Sequence, residues 1–99
     1  MNRGWVLTGP GDRPIVLRLE SGTTKTVGRT TGADFIVDEA LVSRVHCRLT
    51  ASATGDLMVE DLGSTNGTLV NGRPVDREPL RPGDTLTIGR LDLTVNLAQ

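Results

Sequence analysis

No stretch of this chain carries an apolar period of 3.6 residues with capping residues at its ends. Short β-rich runs take its place, each stopped by a turn signal. The last is the plainest: Leu91, Leu93, Val95 and Leu97 alternate with Asp92, Thr94 and Asn96, so one face is apolar and the other polar. Upstream lie WVLT (5–8), IVLRLE (15–20), TTKTV (23–27), FIV (35–37), VSRVHCRLT (42–50), DLMVEDL (56–62), TLV (68–70) and TLTI (85–88). Within VSRVHCRLT an extended backbone puts Val42, Arg44, His46 and Arg48 on one face and Val45, Cys47 and Leu49 on the other. DEALV (38–42) has room for one helical turn, and the Asn71 and Gly72 pair is a strong two-residue hairpin signal. Strands this short, at this turn spacing, argue for an all-β sandwich. We expect one domain over residues 1–99, since 99 residues can bury a core without disulfide staples.

Composition excludes several function classes. Eleven basic residues stand against 12 acidic ones, so the basic excess of a general nucleic-acid binder is missing. One Trp, one Phe and no Tyr leave no row of aromatics on which to stack bases. Cys47 is the lone cysteine, which rules out an internal disulfide and suits a reducing compartment. No apolar run approaches the roughly 20 residues of a membrane span. The N-terminal MNRGWVLTGP is apolar over less than the about 7–15 residues of a signal-peptide core. The expectation is a soluble, cytoplasmic protein without membrane association.

Sandwich strands send their loops to two ends, so loops distant in sequence can share a rim. Three segments hold concentrated polar groups: VGRTTGAD (27–34), EALVSRVH (39–46) and EDLGSTNGTLVNG (60–72). The first offers Arg29 after a strand-ending glycine, the second Ser43 and Arg44, the third Ser64, Thr65, Asn66 and Asn71. A guanidinium gives two parallel hydrogen bonds to a phosphate, hydroxyls donate to the remaining oxygens, and a carboxamide pairs with peptide N–H and C=O. That set suits a tetrahedral dianion attached to a peptide.

VGR, then DFIVDxxLVSRxH, DLGSTNGTxVNG and LRPGD, in this order and spacing, resemble a forkhead-associated (FHA) domain, without a gap from Val27 to about Val95. The resemblance implies an antiparallel β-sandwich of about eleven strands, FHA/SMAD-like, whose loops at one end bind phosphothreonine peptides. It implies that Arg29 and Ser43 meet the phosphate, that Thr65 supports it and that Asn66 holds the peptide main chain. Arg44 becomes a secondary peptide or phosphate contact, and Gly28, His46, Gly67 and Asn71 shape the loops. Cys47 stands where Ala is common in the family, and Phe35 where Ile or Val is common. The implied partner is a phosphothreonine-containing protein, a Ser/Thr kinase or its substrate, bound without cofactor or metal.

Bland readings stand beside these. Ser43 also suits a local hydroxyl turn, Thr65 competes with its neighbour Ser64, and Asn66 before Gly67 suits a left-handed turn position. Asn71 reads first as hairpin chemistry. His46, the one histidine, suggests a hydrolase when set beside Ser43. In an extended segment, however, residues three apart lie on opposite faces, so contact needs a bend, and a satisfied structural histidine is the better reading. One His and one Cys make no usual zinc site. An FHA fold used for phosphate-independent contact, and a nucleic-acid module, complete the rivals.

Overall fold

The computed structural model describes residues 4–98, so Met1, Asn2 and Arg3 of the N-terminal patch, and Gln99, lie outside it. Eleven strands follow one another within the described residues: β1 (Trp5–Thr8), β2 (Val16–Leu19), β3 (Thr23–Gly28), β4 (Phe35–Ile36), β5 (Cys47–Ala51), β6 (Leu57–Asp61), β7 (Thr68–Val70), β8 (Arg73–Val75), β9 (Arg77–Leu80), β10 (Thr85–Ile88) and β11 (Leu91–Leu97). They form a six-stranded sheet in the order β2-β1-β11-β10-β7-β8 and a five-stranded sheet in the order β4-β3-β5-β6-β9. Every pairing is antiparallel except the short parallel contact of β3 with β4.

The period-2 pattern becomes the core directly. Leu7, Leu17, Leu19, Leu86, Ile88, Leu93 and Val95 of the first sheet face Val27, Cys47, Leu49, Ala51, Leu57 and Val59 of the second, all buried. Each large aliphatic side chain so buried contributes roughly 1.5–3 kcal/mol. Burial raises the Cys47 thiol pKa, with the charge of Asp61 adding to it, to about 12, so this cysteine is a small core residue. The alternation of β11 ends early: Leu97, on the apolar parity, is 41% exposed because it lies at the open end of the sandwich.

Between β7 and β8, Asn71 has φ 51° and Gly72 φ 82°, the two positive values that a tight two-residue hairpin requires. β8 and β9 are poorly marked in the sequence because RPV and REPL each contain proline and charge. Both are edge strands, where a missing N–H is tolerated.

Two expectations need correction. DEALV forms no helical turn: Ala40 and Leu41 make a tight turn, with the Val42 N–H donating to the Glu39 carbonyl at 3.1 Å. VSRVHCRLT is extended only from Cys47 onwards. Residues 42–46 bend instead, so Val42 and His46 are both buried while Arg44, on the same expected face, is exposed. Local parity yielded there to the hydrogen bonds described below.

Leu86 of β10, fully buried between the two sheets, gives a direct test of this core. Leu86→Ala should lower unfolding free energy by about 2–5 kcal/mol in denaturant titration, and Leu97→Ala by clearly less.

Candidate functional site

Gly28 ends β3 against the segment that precedes β5. A Cβ there would stand 2.1 Å from the Arg44 carbonyl oxygen, so only glycine allows this approach. The Arg29 N–H then donates to the Ser43 carbonyl at 3.0 Å, and its side-chain Nε to the Val42 carbonyl at 2.9 Å. Nε is thereby tied down, and no described residue takes the terminal Nη groups of this exposed guanidinium.

His46 joins the three loops. Its buried ring accepts the Ser43 N–H at Nδ1, 3.0 Å away, and Nε2 lies 2.8 Å from the Gly67 carbonyl. A carbonyl only accepts and a backbone N–H only donates, so the ring carries its proton on Nε2. The His46 main chain bonds Val27 at 2.8 Å and Leu62 at 3.0 Å. The bend that the extended reading excluded therefore exists, yet it joins the ring to the Ser43 backbone and not to its hydroxyl. Both ring nitrogens are occupied, which leaves no base for a Ser43 nucleophile.

The third loop is shaped from within by Asp61. Its carboxylate accepts the N–H groups of Gly63 and Ser64 and the hydroxyls of Ser64 and Thr68. Ser64 is thus committed inward, which leaves Thr65 as the exposed hydroxyl. The Thr65 N–H donates to Ser43 Oγ at 3.0 Å, so Ser43 keeps its own hydroxyl proton to donate outward. Asn66 Nδ2 donates to the Leu41 carbonyl at 2.9 Å. Asn66 has no positive φ; Gly67 takes that role at 85°.

Arg29, Ala40, Leu41, Val42, Ser43, Thr65 and Asn66 line one shallow recess of about 140 Å³. Four of the five expected ligand contacts are therefore together, and Arg44 sits exposed beside Ser43 without lining the recess. Asn71 is elsewhere. β7 runs away from this rim, and Asn71 at its far end exchanges hydrogen bonds with Asp84 in the β9–β10 turn and Thr85 at the start of β10. It shapes the opposite end of the sandwich, a correction that strand direction imposes. A larger groove of about 570 Å³ at that far end is walled mainly by Trp5, Leu57, Met58, Pro79, Leu80 and Leu97 and gathers no comparable set of donors. Sequence reasoning missed Ala40 and Leu41 as recess walls, because nothing in DEALV distinguishes them from core or turn residues.

Burial raises the pKa of Asp61, but the hydrogen bonds from Ser64 and Thr68 and the nearby His46 outweigh it and hold the carboxyl below its ordinary 3.8. Asp34, bonded by Thr26, and Asp84, bonded by Asn71 and the Arg81 N–H, are lowered too. A carboxylate lowered on folding stabilises the fold above its unfolded pKa, and that contribution disappears as pH falls through the folded value. The melting temperature should therefore hold steady near neutrality and fall below about pH 4. Asp61→Asn, measured by the same melts, should flatten part of that acid slope.

His46→Ala should cost on the order of 3 kcal/mol, from the cavity and the two unpaired backbone groups, in chemical denaturation. A variant that melts like wild type yet binds no ligand would make His46 a direct contact instead.

A family model described as FHA domain matches residues 25–89. Over 67 residues the chain is 42% identical to an ABC transporter ATP-binding/permease protein of Mycobacterium tuberculosis, which covers 68% of this chain and 8% of that protein. It is 40% identical over 70 residues to the glycogen accumulation regulator GarA of Mycolicibacterium smegmatis, covering 71% of this chain and 44% of that one. The chain thus spans less than half the length of both relatives. Among solved structures, a domain from a structural and functional analysis of phosphothreonine-dependent FHA domain interactions superposes with a TM-score of 0.87 at 28% identity, over 97% of this chain and 98% of that one.

Proposed function

Since the chain belongs to the FHA domain family, we propose that it is a phosphothreonine-dependent protein–protein interaction module and not an enzyme. One observation carries this reading: the unpaired Nη groups of Arg29 and the hydroxyls of Ser43 and Thr65 converge on one recess beside the Asn66 amide. The guanidinium fork takes two phosphate oxygens, and the two hydroxyls serve the third. Asn66, with one N–H and its Oδ1 remaining, pairs with the peptide main chain next to the phosphothreonine. Arg44 adds a cation at the edge of this surface.

The partner is a protein phosphorylated on threonine, a Ser/Thr kinase or one of its substrates, which agrees with a cytoplasmic location. Among the described residues no helix is long and apolar enough to cross a membrane, and no cluster of His, Cys, Asp and Glu suits a metal ion. The relatives, a transporter and a regulator, carry the same kind of domain in different larger proteins, as expected of a transferable binding module.

Arg29→Ala should leave the protein folded, with a small loss of melting temperature from the Val42 bond, and weaken phosphopeptide affinity by at least about tenfold, because hydrogen bonds to a charged group contribute roughly 1.5–3 kcal/mol each. Calorimetric titration reads this, and full affinity in a folded variant would remove the site assignment.

Ligand preference gives a second test. A carboxylate has two oxygens and planar geometry, so it leaves a donor of the recess without a partner. The threonine methyl adds about 0.8 kcal/mol if it fills an apolar niche. Competition between four peptides should rank phosphothreonine first, phosphoserine second, and acidic mimic and bare threonine last. Equal binding of bare and phosphorylated threonine would instead establish phosphate-independent contact.

A further inference from the structure

A fourth loop touches a segment that walls the recess. β10 and β11 are joined through Gly89 and Arg90, and a Cβ on Gly89 would stand 3.0 Å from the Leu41 carbonyl carbon and 3.1 Å from Val42 Cγ2. The turn therefore lies directly against the wall of the recess, and its φ of 60° at Gly89 also favours glycine. Arg90 follows Gly89 in this turn, at the same end of the sandwich as the recess. Arg90 is exposed, and no described residue bonds its guanidinium. Leu41, whose carbonyl the Asn66 amide holds, leaves 37% of its surface exposed beside the same recess. Asp38 and Glu39, on the loop that bears Leu41, pair with neither Arg90 nor Arg44: the ion pair among the described residues is Arg48 with Glu60, at 2.9 Å.

An apolar surface and an unpaired planar cation thus lie at the end of the sandwich that bears the phosphate donors. Such a pair matches a side chain with a short methylene stem and a terminal carboxylate. Arg29 does not compete for that carboxylate, because its fork faces the phosphate. We infer that Arg90 is a specificity-determining residue: it selects a glutamate or aspartate close to the phosphothreonine of the ligand, with Leu41 supporting the methylenes. This rests on the phosphopeptide reading given above.

The test is a phosphothreonine peptide array in which each flanking position in turn carries Glu, Gln or Ala, with bare-threonine counterparts, titrated against wild type, Arg90→Gln and Arg90→Lys. In wild type one flanking position should favour Glu over Gln by about three- to fivefold, the size of a partly exposed ion pair. Arg90→Gln should bring that ratio to about one while keeping phosphate dependence, and Arg90→Lys should keep part of it. An unchanged ratio in Arg90→Gln, or an equal loss on every peptide, overturns the inference and leaves the phosphopeptide reading standing. If wild type does not distinguish phosphorylated from bare threonine, both fall. Thermal melts of the two variants confirm that each is folded.

Discussion

The imidazole of His46 is the joint on which the binding end depends. It is fully buried, and each ring nitrogen has one partner, the Ser43 N–H on one side and the Gly67 carbonyl on the other. A buried polar group is tolerated only when satisfied, so the two loops are held at the separation the ring defines. The same residue's main chain bonds the end of β3 and the start of the third loop. One side chain and its own backbone thereby set three loops relative to one another before any ligand arrives, which reduces the ordering cost of binding.

The recess follows from what those bonds leave over. Arg29 spends Nε on the Val42 carbonyl and keeps its terminal donors. Ser43 Oγ accepts from Thr65 and retains its proton. Thr65 gives up its N–H and keeps its hydroxyl, and Asn66 gives one amide hydrogen to Leu41 and keeps the rest. Each of the four is fixed by one bond and free in another. Rigid placement and available hydrogen-bonding capacity are combined in the same side chains, which is what the proposed recognition of a hydrated dianion requires.

Asp61 provides the counterpart beneath the surface. By drawing Ser64 and Thr68 inward it turns the third loop so that Thr65 and Asn66 face out. The glycines on either side, Gly63 at φ 71° and Gly67 at 85°, supply the backbone angles this tight loop requires. Asn71 and Asp84 clasp the other end of the sandwich through side chains of the same chemical type. Amides and carboxylates therefore close loops at both ends of the sandwich.

Local chemistry made much of this legible. Alternation along β11 and turn residues at regular intervals specified a sandwich, because side-chain parity and the φ demands of Asn71 and Gly72 are properties of neighbours along the chain. The ordered polar segments marked Arg29, Ser43, Thr65 and Asn66 before any geometry was known. Proline and charge hid β8 and β9, since an edge strand needs neither full N–H donation nor a buried face. What the chain order could not convey was which ends meet. Residues 42–46 leave the strand because a histidine ring, a distant carbonyl and a close glycine contact outweigh local parity. Asn71 departs from the rim because β7 carries it away, and Gly89 meets the Leu41 segment because β10 leads back. The residues and their chemistry were determined by sequence alone; the company they keep was decided by tertiary structure, through strand pairings that span most of the chain.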